Sequence, residues 1–447
     1  MRAKASTAKT KNFVRIFYLL GYCISLKTTG PEKKFPKPYL YFSLFTAKIL
    51  HKCSNGKNMP IDYQQIFTRI KEIGAGARER KRTLDERRAH ARDLLAAYAN
   101  ELDVLRSKVD TAKQADSNIR CALPINEPLA SSYPVPDSAV QATLIAADGS
   151  QIVPDRHAAL QYYVINVGAI AMQVGSGNAP DVFTETELHM LDEFEDTFFS
   201  DSQVALQRDV AERKKLLEVA KNYSGTIIAL AEGQLELWGA VDSDNSRDFE
   251  KSLQDYLDVL KEMEKQQIIT SGYVDKPGAN WLVRLLEIAT IPQNELSNLK
   301  KYHPLAGVTD LWLFSQILGK HERSSIFALQ AKSAEKYKDS LSIHFFYLNV
   351  GDEKKPKIAR VDVPLWVINN QEALNYLHCA LIEQAKIMGN EPFLYLLHRA
   401  HEIAVVTHKE KEEIDQMLAL AIKNNGGEVG EISGKQSAKN LQGRTRM

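Results

Sequence analysis

The tracts Leu144-Ile145-Ala146-Ala147-Asp148-Gly149 and Ile228-Ala229-Leu230-Ala231-Glu232-Gly233 share a pattern: a short apolar run, a carboxylate, then glycine. Such a run, closed by a turn signal, reads as a strand buried on both faces. The acid at its end is held rigidly, and the glycine lets backbone or ligand come close. Side by side, two such strands bring Asp148 and Glu232 together, a costly juxtaposition unless a cation neutralises it. A third carboxylate lies between them on a stretch of helical periodicity. There Glu212, Leu216 and Val219 share one stripe while Leu206, Val210 and Leu217 form the next, so Glu212 falls on or beside a buried face. It is either a cation ligand or the ion-pair partner of Arg208 or Arg213. Converging carboxylates without cysteine or histidine ligands suit a hard ion, Mn2+ or Mg2+. Such ions polarise phosphoryl oxygens and activate water, so the chemistry indicated is phosphodiester hydrolysis, with Asp148, Glu212 and Glu232 as metal ligands. The competing reading of Asp148 alone is a turn residue, since Asp-Gly is a common turn pair.

Two other groups invite chemistry. His398 and His401 lie one turn apart in an apolar helix, where a zinc pair would prefer a four-residue spacing and a third ligand. Core packing is the default for both, and His401 becomes a general acid/base or a phosphate contact only if its helix faces the carboxylates. Ser150 lacks the GxSxG elbow of a hydrolase nucleophile. His378 beside Cys379 reads as core.

Around these residues the chain reads as strands at 143–152, 159–173 and near 182–188, a helix over 202–221, a strand at 226–232 and a helix over 247–265. A three-stranded meander, a right-handed crossover helix and a strand returning beside the first form the ribonuclease H-like topology. The expected fold is therefore α/β: a ribonuclease H-like mixed sheet flanked by helices, with an N-terminal helical arm. Further on come helices at 278–291 and 308–318, strands at 341–350 and 358–367, and helices at 370–386, 393–404 and 409–424. The domain plan is an extension over 1–58, a charged helical arm over 59–125 broken at Gly74 and Gly76, a nuclease-type body over 126–425 and a flexible basic tail over 426–447. Met59 begins the well-patterned sequence, so 1–58 is expected to be a non-native or disordered extension.

Composition limits the alternatives. The 44% apolar and 25% charged content of the 447 residues is that of an ordinary soluble protein. The formal charge of +1 hides twelve basic and one acidic side chains in residues 1–58 against 45 basic and 55 acidic beyond. An anionic partner of the body must therefore bind through local basic patches or a helper protein. Four scattered cysteines, none in a CxxC pair, fit a reducing, cytoplasmic compartment and exclude both a disulfide framework and structural zinc. No segment reaches membrane-spanning length.

Several blocks together resemble the NurA nuclease domain over about residues 140–440, in the family's motif order. They are Asp148-Gly149-Ser150-Gln151-Ile152 with Pro154-Asp155-Arg156-His157, the strand ending Ile165-Asn166-Val167-Gly168, and Thr309-Asp310 through His321-Glu322-Arg323-Ser324 to Phe327. Ala359-Arg360-Val361-Asp362-Val363-Pro364 and Arg399-Ala400-His401-Glu402-Ile403-Ala404-Val405 complete the set. The resemblance implies a Mn2+- or Mg2+-dependent ribonuclease H-like nuclease. Members degrade DNA from 5′ ends, cut single strands and serve double-strand-break repair. They typically act as homodimers docked on a hexameric HerA-type ATPase. By the family pattern Asp148 matches the first catalytic aspartate, Glu212 the helix glutamate and His401 the C-terminal catalytic histidine. Glu232 stands where the family normally has aspartate in Asp-Gly-x-Leu. The family's tyrosine before the histidine falls near Phe393 and Tyr395 and stays unassigned. Arg156, His157, Asp310, Glu322 and Arg323 read equally as structural braces or DNA contacts. A catalytically weak adaptor subunit of a DNA-translocating ATPase is the alternative function.

Overall fold

The computed structural model describes residues 62–137, 140–155, 158–191, 200–239, 246–427 and 429. The extension over 1–58, Arg156, His157 and nearly all of the expected tail lie outside these residues. The chain divides into two compact units at Lys81–Arg82. Three helices come first: α1 (Tyr63–Ala75), α2 (Ala77–Ala97) and α3 (Leu102–Ala115), with the α1–α2 break at Gly76. Then follow β1 (Cys121–Pro124), β2 (Ser132–Tyr133), β3 (Thr143–Ile152), β4 (Tyr162–Gln173), β5 (Asp181–Met190), α4 (Asp201–Ala220), β6 (Ile227–Glu232), α5 (Ser246–Lys265) and β7 (Ile269–Val274). The C-terminal half adds α6 (Trp281–Thr290), α7 (Asp310–Phe314), β8 (Arg323–Ser324), β9 (Phe327–Gln330), β10 (Ile343–Asn349) and β11 (Ile358–Pro364). It closes with α8 (Leu365–Ile368), α9 (Gln371–Ile387), α10 (Tyr395–Ala404) and α11 (His408–Asn424).

The eleven strands of the described residues join one mixed sheet: nine run in the order β1-β9-β10-β11-β7-β6-β3-β4-β5, and off this path β8 pairs with β10 and β2 with β8. The β3-β4-β5 meander is antiparallel, and β6 returns parallel to β3 after α4. This is the expected ribonuclease H-like arrangement. β7 then extends it in parallel beside β6. One face of the sheet packs α4 and α5 over Ile145, Ala147, Ala229 and Ala231. The other packs α9 and α10 over Leu144, Ala146, Ile228 and Leu230. Successive side chains along a strand point to opposite faces, so β3 and β6 supply both cores. β5, at the sheet's end, is exposed along most of its length.

Several expectations are corrected. The strand expected at 358–367 ends at Pro364, and Leu365–Ile368 is a short helix. The helix expected at 308–318 is regular only over Asp310–Phe314. β1, β2, β7, β8 and β9 were not read from the sequence at all. α3 and β1 belong with the sheet: Leu105 and Val109 are fully buried in its core, and Cys121–Pro124 pairs with β9.

Of the equivocal charged residues, Asp310, Glu322 and Arg323 are internal braces. Buried Asp310 accepts from the Leu282 and Val283 amides and the Tyr347 hydroxyl, tying α7 to the start of α6. Arg323 pairs with Glu127 at 3.0 Å, and Glu322 accepts from the Gly319 amide. His378 is a core residue whose Nε2–H donates to the His321 carbonyl. Burial holds its imidazole down, at about 4. The unfolded chain thus takes up this proton near pH 6.5 and the folded chain only near pH 4. Stability from this group is complete above pH 6.5 and lost as pH falls toward 4, by about 3 kcal/mol. His378→Gln should flatten that part of the urea-midpoint profile, and superimposable profiles for wild type and variant would refute the assignment.

Candidate active site

The parallel register of β3 and β6 pairs Ala147 with Ala231. The next step along both strands places Asp148 and Glu232 side by side, on the face covered by α10. Two glycines complete the local geometry. Gly168 lies opposite Asp148 on β4, and a Cβ there would stand 2.7 Å from the Ala404 amide nitrogen. Its absence lets the end of α10 settle onto the sheet. Ser150 Oγ and Asn166 Nδ2 both donate to the Ala404 carbonyl, at 2.5 and 2.7 Å, and the Val406 amide donates to Ser150 Oγ. Ser150 is therefore an anchor for this helix. So docked, α10 brings His401 Nδ1 to 2.7 Å from Asp148 Oδ2, while Asp148 Oδ1 accepts from the Gly149 amide. Asp148 is mostly buried and the imidazole is 59% exposed.

Gly149 serves the opposite face. A Cβ there would stand 2.7 Å from Glu212 Oε1, so the missing side chain lets the α4 carboxylate rise to the strand. α4 begins with a capping box between Ser200 and Gln203 and buries Val204, Val210 and Leu216. Glu212 is buried too, with Oε1 3.3 Å from Arg208 Nε and Oε2 2.7 Å from Arg213 Nη1. Burial pushes its carboxyl up to about 8, against the pull of Arg213 and Arg208 and with help from the Asp209 and Asp148 charges.

Glu232 has no hydrogen-bond or ion-pair partner among the described residues. Burial raises its carboxyl, the Asp148 charge raises it further, and Asp275 adds to this while His401 opposes. Asp275, one residue beyond β7, is a site neighbour missed in the sequence. The signal was there: Ile268-Ile269-Thr270-Ser271-Gly272-Tyr273-Val274-Asp275 is a third strand closing in an acid, masked by its polar middle. Lys357 Nζ lies 3.3 Å from Asp275 and also donates to the Pro392 carbonyl. Phe393 packs edge-on against buried Tyr273, and Tyr395 is half-buried at the start of α10.

The structure thus brings Asp148, Glu232 and His401 together. Glu212 approaches from behind the strand and is held by two arginines. Three converging carboxylates were expected, but no group of three metal-ligating side chains is assembled among the described residues. Arginine charge stands where an ion's would. The chemistry of the donors still fits a hard cation. Asp148 and Glu232 repel one another at adjacent strand ends, and among the described residues Glu232 has no hydrogen-bond or ion-pair partner.

Strand order and acid placement define a ribonuclease H-like α/β protein with an open acidic site at the ends of its parallel strands. The NurA domain model matches residues 142–406. The chain belongs to the NurA family. No curated protein matches. Among solved structures, the chain is similar to the NurA nuclease from Sulfolobus solfataricus, at 12% identity over 74% of this chain and 98% of that one, with a TM-score of 0.44. It is also similar to the catalytic domain of human Endonuclease V, at 13% identity over 71% and 98%, TM-score 0.29. For Ciona intestinalis Endonuclease V in complex with DNA the values are 9%, 70%, 97% and 0.27.

Proposed function

We propose that this protein is a metal-dependent DNA nuclease of 5′ to 3′ exonuclease and single-strand endonuclease type. It acts as a homodimer with a HerA-type hexameric ATPase in end processing and double-strand-break repair. The observation that carries this reading is the Asp148–His401 pair beside Glu232 at the strand ends of a NurA-family chain. Asp148 and Glu232 would hold Mn2+ or Mg2+, with Glu212 joining them only on leaving Arg208 and Arg213; the ion when bound would polarise the scissile phosphate and lower the pKa of water. Catalytic roles fall to Asp148, Glu212, Glu232 and His401. Because Asp148 Oδ2 accepts from His401 Nδ1–H, the Nε2 atom is left for the substrate. There it takes a proton as a base, or donates to a phosphate oxygen as an imidazolium. Purified protein should degrade DNA carrying a free end when Mn2+ or Mg2+ is added, and more strongly with the partner ATPase. No degradation with either ion, with or without the ATPase, would sink the reading.

A second reading, the adaptor with little activity of its own, is favoured by one feature: the longer Glu232 arm combined with the arginine-bound Glu212. Glu232→Asp distinguishes the two. For a working nuclease this variant should still cleave, within roughly a hundredfold of wild type, since charge is kept and only reach changes. A jump from no cleavage to robust cleavage would instead favour the adaptor.

A further inference from the structure

Beyond Glu232 the chain turns at Gly233 and enters a segment pinned at every second residue. The Leu235 amide donates to Asp362 Oδ2 at 3.2 Å, and the Leu237 amide to the Tyr337 hydroxyl at 2.7 Å. This rigid segment delivers Trp238, which is 57% exposed. Its indole Nε1–H donates to Glu236 Oε2 at 3.2 Å, and Glu236 is itself buried and ion-paired with Arg120. The Arg120 guanidinium lies over the indole, 5.2 Å from the ring centroid. A buried carboxylate and a guanidinium are thus both engaged in fixing an aromatic ring that remains in water. The same guanidinium lies 5.0 Å over buried Trp281 and donates to Ser333, so the ion pair also braces the core; the exposed indole is the part that stability does not call for.

The indole borders a cavity of about 560 Å3 that Phe249, Lys332 and Lys336 also line. Lys336 stands over Phe249 and pairs with Glu250 at its outer edge. Among the described residues the wall carries Arg120, paired with Glu236, Lys336, paired with Glu250, and Lys332, which leaves one lysine in excess. Fixed aromatic surface beside a lysine suits a strand with exposed bases and a phosphate backbone. The acidic body must meet any anionic partner through such a local patch or through a helper protein. Trp238 also follows Glu232 by only six residues, at the same end of β6.

We propose that Trp238 stacks a base of single-stranded DNA, with Lys332 and Lys336 along its phosphates. This inference rests on the nuclease reading and concerns substrate held beyond the catalytic pair: the Trp238 surface lies on the α5 side of the sheet, whereas Asp148 and His401 face each other on the α10 side. The test is fluorescence anisotropy of a labelled short oligothymidylate and of a blunt duplex, with the full chain in chelator so that nothing is cut. Trp238→Ala should weaken single-strand binding about five- to hundredfold, the equivalent of one stacked base, and leave the duplex nearly unchanged. Trp238→Phe should recover most of the loss, and Lys332→Gln should lower the salt dependence. Wild-type affinity for the oligothymidylate in Trp238→Ala would overturn the proposal while leaving ion-dependent cleavage, and so the nuclease reading, intact. Unchanged DNA binding with loss of ATPase binding would make the surface a protein contact and also overturn it. A wild-type protein that neither binds nor degrades DNA would remove both readings together.

Discussion

Asp148→Ala is expected to abolish DNA cleavage, with a loss of roughly a thousandfold or more, about 4 kcal/mol in the barrier. The side chain holds His401 through Nδ1 and, on the proposed reading, would share an ion with Glu232. Asp148→Asn separates them. The amide keeps size and a hydrogen bond to the ring but gives up the charge, so it should lose nearly as much if ion binding dominates. Thermal stability should behave in the opposite sense. The Asp148 charge raises the carboxyls of both Glu232 and Glu212, so its removal relieves repulsion and the melting temperature should hold or rise. Functional sites often carry such locally unfavourable charge. Full cleavage by Asp148→Ala, measured with Mn2+ on free-ended DNA, would rule out the site.

The second large effect is expected at a residue without a side chain. A methyl group at Gly168 would stand 2.7 Å from the Ala404 nitrogen and 2.9 Å from the Ile403 carbonyl carbon. These are backbone atoms at the docked end of α10, so the helix itself must give way. The overpacking should cost about 1–3 kcal/mol in stability. Because that helix carries His401, a shift of an ångström or less should lower cleavage by about a hundredfold. Gly278→Ala is the control: its Cβ meets nothing within 4 Å and should be neutral in both assays. If Gly168→Ala cleaves as wild type does, the seating of α10 does not position His401.

What could be read from the sequence follows the physics of each element. β3 and β6 announce themselves because a strand buried on both faces has few polar positions before its closing acid. β7 is equally interior, yet Thr270, Ser271 and Gly272 break its apolar run. Thr270 and Ser271 are buried nonetheless, and Gly272 must be glycine because a Cβ would meet the Gly233 carbonyl oxygen at 2.7 Å. Helical periodicity put Glu212 on a buried face, and both arginines weighed as its partners turned out to hold it. The periodicity could not show that this face lies behind the strand from Asp148. The Asp148–His401 contact joins residues 253 positions apart, and no local pattern encodes that. It entered through family resemblance alone. The Trp238 surface has no local signature, because the ring is fixed by Glu236 in its own segment and by Arg120 from a distant stretch of chain.

With Arg208 and Arg213 closed around Glu212, the hidden side of the sheet is electrically settled before any ion arrives. On the proposed reading, any ion that recruits this carboxylate must first displace two guanidinium groups.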